Sequence, residues 1–216
     1  MKIRKIHQTK QEDQGPIRKF WNWLWHSDSI SSWLVALALA FITVKFIFFP
    51  ALSLITGTSL PLVVVESSSM EHPNSLSGGI VGGITGGVIA DNDDFEFWWE
   101  EKGKWYEQKG IEKQETKSWP LKTGFDKGDI MVVYGRFQPE VGDVVIFNAN
   151  AKHPIIHRVI SVDGSTIATK GDNNEGQLPS EKFIKEDALV GKAVFRIPKI
   201  GWLKLIFVEI ANAFSS

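Results

Sequence analysis

The sequence predicts a mainly β fold carried on one N-terminal transmembrane helix, and three observations point to it. Residues 33–55 form an apolar run, WLVALALAFITVKFIFFPALSLI, whose single charge is Lys45. From Gly124 onward, short β-branched and aromatic runs are broken at regular intervals by Gly, Pro, Asp and Asn, the pattern of an all-β domain. No helical period longer than about three turns is evident in that half, which excludes a doubly wound α/β fold.

Composition bounds the function classes. A chain of 216 residues that is 43% hydrophobic holds one moderate domain with attachments and is not disordered. A net charge of -1 supplies no basic field, so nucleic acid is not expected as a partner. With no cysteine, disulfides, thiolate zinc sites and Cys nucleophiles are excluded.

Residues 1–29 read as a cytoplasmic tail, basic through Lys2, Arg4, Lys5, Lys10, Arg18 and Lys19, then aromatic through Phe20, Trp21, Trp23 and Trp25. Trp clustered before an apolar span fits an anchor at the lipid interface. Residues 30–56 form the membrane anchor. The 23 residues from 33 to 55 cover roughly 34 Å as a helix, enough to cross the hydrocarbon of a bilayer. Lys45 is costly at a helix centre, about 2.5 to 3.5 kcal/mol, and is expected to snorkel toward the outer end. After Lys45 the next Lys or Arg is Lys102, so the positive-inside rule puts the N-terminus in the cytoplasm and residues 57–199 outside a cell membrane crossed once.

Residues 60–67 (LPLVVVES) read as a strand leaving the membrane and ending in three hydroxyls, Ser67, Ser68 and Ser69. Residues 74–123 read as an insertion. Its first part is a Gly-rich loop lacking GxGxxG and Gly-Lys-Ser/Thr, and its second is acidic and aromatic with a short helix near residues 111–117. Asp91, Asp93 and Asp94 lack EF-hand spacing and read as a solvated acidic turn, so no metal or cofactor is expected. Strands are predicted over residues 130–134, 144–147, 155–162, 166–169 and 190–196, with a hairpin turn at Val162-Asp163-Gly164-Ser165. Lys127-Gly128-Asp129-Ile130 and Val141-Gly142-Asp143-Val144 repeat one heading, a Gly-Asp turn feeding an apolar strand. Residues 200–216 are apolar but, at roughly 22 Å over residues 200–214, short of a span, so they dock on the domain or lie along the interface.

A serine needs a base to take its proton and donors to hold an oxyanion. His72, His153 and His157 lie beyond the span. His157 sits inside a predicted strand with a fixed facing, whereas His153 precedes Pro154 in a turn. Asp172, after the next strand, lies one hairpin away from His157, where a carboxylate can fix the ring tautomer.

In order and approximate spacing, Ser69-Met70, Gly142-Asp143-Val144-Val145-Ile146-Phe147, His157-Arg158-Val159 and Lys170-Gly171-Asp172-Asn173-Asn174 resemble the boxes of type I signal peptidases. The His-Arg pair is similar to the archaeal and endoplasmic-reticulum branch. The resemblance covers roughly residues 30–73 and 124–200. It implies a signal-peptidase-like β-barrel or sandwich domain that removes leader peptides from secreted preproteins, with Ser69 as nucleophile, His157 as general base and Asp172 as orienting acid. Ser67, matching a hydroxyl of the bacterial branch, and Ser69 are then the oxyanion-hole candidates. It also implies preprotein signal peptides and the bilayer as partners, with secretion-machinery or complex subunits as further ones. The chain departs from the pattern at Ser68, where the family has Gly, in the extra residue before Pro73, and at Leu178, where the branch carries a second aspartate. Glu175, Glu181 and Asp187 are the candidates to replace that aspartate. The related SOS-repressor autoproteases are soluble and use Lys as base, so the span and His157-Arg158 argue against them. The alternative reading is a membrane-tethered, catalytically inactive β module that binds preproteins or partner subunits through the insertion.

Overall fold

The computed structural model describes residues 15–72, 92–149 and 153–213. The chain forms two compact units, residues 1–51 and residues 52–216. The Gly-rich part of the insertion, Asp91 and the side chains of Asp93 and Asp94 lie outside the described residues.

In the first unit, a helix over Pro16–His26 exposes Phe20, Trp21, Trp23 and Trp25. The apolar helix Ile30–Thr56 begins at Ser29, whose hydroxyl accepts the Ser32 N–H and so caps one of the free donors of the first turn. At 27 residues and mean hydropathy 2.3 it is long and apolar enough to cross a membrane. Its turns widen over Val44–Phe48, and the Lys45 ammonium lies 5.7 Å from the Phe41 ring and 5.4 Å from that of Phe46. The negative faces of these rings attract the cation.

The second unit is one antiparallel sheet of seven strands in the order β1-β2-β7-β3-β4-β5-β6. The strands are β1 Leu62–Val64, β2 Ile130–Tyr134, β3 Val144–Phe147, β4 Ile155–Asp163, β5 Thr166–Lys170, β6 Ile184–Lys185 and β7 Leu189–Ile197. The five strands expected from residue 130 onward are thus present within a residue at each end, β6 is an addition to them, and the domain is mainly β. β1 is shorter than the predicted run, although Val65 N–H still donates to Asp129 O at 2.9 Å in the register of the ladder. The repeated heading is one turn used twice. Asp129 accepts the Asp126 N–H at 2.8 Å and Asp143 accepts the Glu140 N–H at 3.1 Å, with Gly128 and Gly142 at φ +89 and +95, where a side chain is disfavoured.

Both faces of the sheet are covered. Val65, Met70, Phe125, Met131, Val144 and Ile146 pack on one side, and Val145, Phe147, Val159, Ile167 and Ile184 on the other. The second half of the insertion carries the expected short helix, at Lys113–Thr116, and before it a 16-residue helix, Asn92–Glu107, that the sequence reading did not include. Phe95, Trp98, Trp99 and Tyr106 recur at helical spacing and pack with Ile111 and Trp119 onto Ile160 of β4 and Ala168 of β5. Gly103 lets the turns close, since a Cβ there would meet the Trp99 ring at 2.5 Å. The C-terminal helix Trp202–Ala213 buries Leu205, sets Trp202 against Gly128 and pairs Lys204 with Glu66 at 3.1 Å. It leaves Leu203, Ile206, Val208 and Ile210 exposed.

Candidate active site

Three chain segments converge beyond β1. The strand ends at Val64, and the bend that follows leaves Ser67 and Ser68 exposed and Ser69 half-buried. β4 carries His157, whose Nε2 lies 2.8 Å from Ser69 Oγ across 88 residues of sequence. On the far side of the ring, His157 Nδ1–H donates to Glu181 Oε1, a carboxylate brought in by the short helix Pro179–Glu181. That contact sets the tautomer. With Nδ1 protonated toward Glu181, Nε2 is an acceptor and Ser69 Oγ–H donates to it.

Glu181 is itself held. Oε1 accepts from Thr169 Oγ1 at 3.2 Å and Oε2 from Leu178 N–H at 2.6 Å, and the side chain is fully buried. Each carboxylate oxygen therefore has a donor, which offsets the cost of removing the charge from water.

Asp172 is elsewhere. In a strand, successive side chains face opposite ways, so His157 and Arg158 look to opposite sides of the sheet. Arg158 pairs across the ladder with Lys170, and Asp172, two residues further on, returns to the Arg158 side. There Arg158 Nη2 donates to Asp172 Oδ2 at 2.6 Å and Nε to Oδ1 at 2.9 Å. His72 Nε2 lies 3.1 Å from Oδ2, and the Tyr106 hydroxyl donates to Oδ1 at 3.2 Å. The Arg158 guanidinium and the His72 bond hold the Asp172 carboxyl well below the usual carboxylate range in spite of its burial. Gly171, between them, is on the His157 side, where an added Cβ would stand 2.8 Å from His157 Nε2 and from Ser69 O.

The hairpin β4–β5 thus has a reactive side with Ser69, His157, Thr169 and Glu181, and a charged supporting side with Arg158, Lys170 and Asp172. Of the predicted residues, Ser69 and His157 are brought together. Asp172 is set apart from the ring, and the carboxylate on the ring is Glu181, one of the three candidates to replace the missing aspartate. Of the others, Glu175 is paired with Lys102 at the surface and Asp187 is exposed. Ser67 Oγ lies 3.1 Å from Ser69 Oγ. His153 is exposed and His72 belongs to the supporting side.

On that side Lys170 is fully buried, its Nζ 4.9 Å from the Tyr106 ring and 5.1 Å from that of Trp105, donating to Gly171 O at 2.9 Å. Burial pushes its amine down to about 8. Reading along the sequence missed this aromatic enclosure, although the spacing of Phe95, Trp98, Trp99 and Tyr106 carried the signal. No group of carboxylates and imidazoles able to hold a metal ion occurs among the described residues.

A serine hydroxyl, an imidazole in the accepting tautomer and a buried carboxylate behind it, set on an antiparallel sheet, have the arrangement of a Ser-His-acid hydrolytic centre. No family model matches the chain. It is similar to the signal peptidase complex catalytic subunit SEC11 of Colletotrichum graminicola, 29% identical over 102 residues, which cover 41% of this chain and 59% of that protein. To the subunit of the same name from Scheffersomyces stipitis it is 30% identical over 101 residues, covering 41% of this chain and 61% of that one. The chain is therefore a relative of signal peptidase catalytic subunits, and it spans about three fifths of the length of the curated relatives it matches.

Proposed function

We propose that the chain is a membrane-anchored serine endopeptidase of the signal peptidase type, which removes leader peptides from preproteins. The observation that carries this reading is the 2.8 Å contact of Ser69 Oγ with His157 Nε2, with Glu181 bonded behind the ring. The relatives' names agree with it, and those proteins are subunits of a complex, which supports partner subunits for this chain.

In the mechanism, Ser69 Oγ attacks the carbonyl after the last leader residue as His157 Nε2 takes its proton. Glu181 holds the tautomer and stabilises the imidazolium that forms. His157 then gives the proton to the leaving amine, and water, deprotonated by the same nitrogen, hydrolyses the acyl-enzyme. The exposed Ser67 hydroxyl stands beside the attacking oxygen, where it can donate to the developing oxyanion together with the Ser69 N–H. Among the described residues β1 ends the sheet order and pairs with β2 alone, which leaves an edge on which an extended substrate can add as a strand. Asp172 is read as the anchor of the supporting side and not as the orienting acid.

The helix Ile30–Thr56 is the anchor, with the N-terminus in the cytoplasm and the sheet on the outer face of the cell membrane. Confinement to one surface raises the effective concentration of enzyme and leader. The test is cleavage of a leader-bearing preprotein by the purified full chain in detergent, against Ser69→Ala and His157→Ala. Cleavage lost in both supports the reading. Cleavage by Ser69→Ala at the parental rate, or a folded parent that cuts nothing, refutes it.

A further inference from the structure

The helix Asn92–Glu107 lies outside the segments that carry the resemblance, yet its rings reach the back of the loop that holds Ser69. Trp98, 2% exposed, donates its indole N–H to the Asp172 carbonyl at 3.1 Å. The other donor near that carbonyl, Lys170 Nζ, is at 3.5 Å, the limit of a hydrogen bond. The Trp98 ring lies flat on that of His72, with centroids 4.6 Å apart and planes within 5°. His72 also bonds Asp172 Oδ2. One indole therefore fastens the loop after β5 to the chain just past Ser69.

The loop after β5 in turn grips the nucleophile's backbone. Asn173 N–H donates to Ser69 O at 2.8 Å, Asn173 Nδ2 donates to Ser68 O at 3.1 Å, and Asp172 N–H points to Met70 Sδ at 3.3 Å. Ser67 and Ser68 are exposed, so the serine loop is held by these bonds, by Phe125 N–H donating to Met70 O at 3.0 Å and by the burial of Met70.

We infer that Trp98 is a positioning residue for Ser69. By holding Asp172 and His72 together it seats the serine loop against Asn173 and keeps Ser69 Oγ on His157 Nε2. The inference rests on Ser69 being the nucleophile. It makes the insertion helix a support for the reaction, without contact to the substrate.

The test is Trp98→Phe in the full chain in detergent. Phenylalanine keeps a ring on His72 and removes the donor to Asp172 O. Loss of one such bond corresponds to a fall in kcat of about five- to tenfold, with KM within about twofold, because the alignment acts in the transition state. Amide hydrogen exchange speeds up at residues 67–72 and 171–174 and not in β3. Parental kcat with parental exchange in those segments overturns the inference. So does a raised KM with unchanged kcat, which makes the helix a substrate surface. If Trp98→Phe does not fold, Tyr106→Phe removes only the hydroxyl donor to Asp172 Oδ1 and gives the same pattern; parental kcat and exchange in that variant overturn the inference. Exchange needs no substrate, so a parent that cleaves nothing defeats the peptidase reading while exchange still decides the coupling of Trp98 to the serine loop.

Discussion

Glu181→Gln separates the two carboxylates that compete for the role of orienting acid. Glu181 uses both oxygens as acceptors, Oε1 for His157 Nδ1–H and Thr169 Oγ1–H, Oε2 for Leu178 N–H. Glutamine has one oxygen and one NH2 group in the same volume. If its oxygen faces His157, the NH2 confronts the Leu178 N–H, and a buried donor is left unpaired at about 1 to 3 kcal/mol. If its oxygen faces Leu178, the NH2 donates to Nδ1, and the ring carries its proton on Nε2, where it cannot accept from Ser69. The second arrangement avoids the clash, so the wrong tautomer dominates. A fall in kcat on the order of 10³- to 10⁴-fold is expected, with KM little changed.

Asp172→Asn behaves differently. It leaves the buried Arg158 without its charged partner, a loss of about 3 to 5 kcal/mol of stability, and acts on activity through folding. Steady-state cleavage of a leader peptide beside thermal unfolding reads both. Glu181→Gln within tenfold of the parent refutes the assignment. Asp172→Asn with a 10³-fold loss of kcat and an unchanged unfolding temperature returns the role to Asp172.

Two further outcomes follow from the geometry. Lys170, at about 8 in the fold against 10.5 for a free amine, binds fewer protons folded than unfolded between those values, so stability rises with pH through that window, by at most about 3 kcal/mol, and is flat below it. Denaturant melts at pH 7.5 and 10 show this gain in the parent and not in Lys170→Met; equal gains in both refute it. Gly171→Ala puts a methyl group 2.8 Å from His157 Nε2 and from the backbone Ser69 O, so cleavage falls at least tenfold and stability drops by about 1 to 3 kcal/mol. A parental rate in that variant excludes the close packing of this loop.

Much of the fold was legible because its signals are local. The strands β2 to β5 and β7 announce themselves by β-branched runs between Gly-Asp and Asp-Gly turns, and the anchor by length and hydropathy. Ser69 and His157 were legible through residue type and order along the chain. The carboxylate bonded to the His157 ring was not, because facing in a hairpin depends on parity: Asp172 lies close to His157 in sequence and on the opposite side of the ladder. Glu181 could be named only as one of three candidates, since a short helix after an irregular loop places it. The helix Asn92–Glu107 was hidden by Gly103 and by aromatics of poor intrinsic helix preference, whose stability comes from packing on Ile160 and Ala168.

The short connection from the anchor to the nucleophile also acts as a ruler. The chain passes from Thr56 to Ser69 in about 13 residues, at most roughly 45 Å when fully extended. Much of that length is tied down, by Gly135 N–H on Thr56 O, by Thr58 Oγ1 on Val190 O at 2.8 Å and by β1 on β2. With the helix in the bilayer, Ser69 is leashed within that radius of the lipid surface. Under the proposed activity, a leader is leashed to the same surface by its own apolar stretch. Two leashes from one plane meet only where their lengths allow, so the position of the cut relative to the leader's apolar stretch would then be bounded by the anchor's geometry as well as by the side chains at the site.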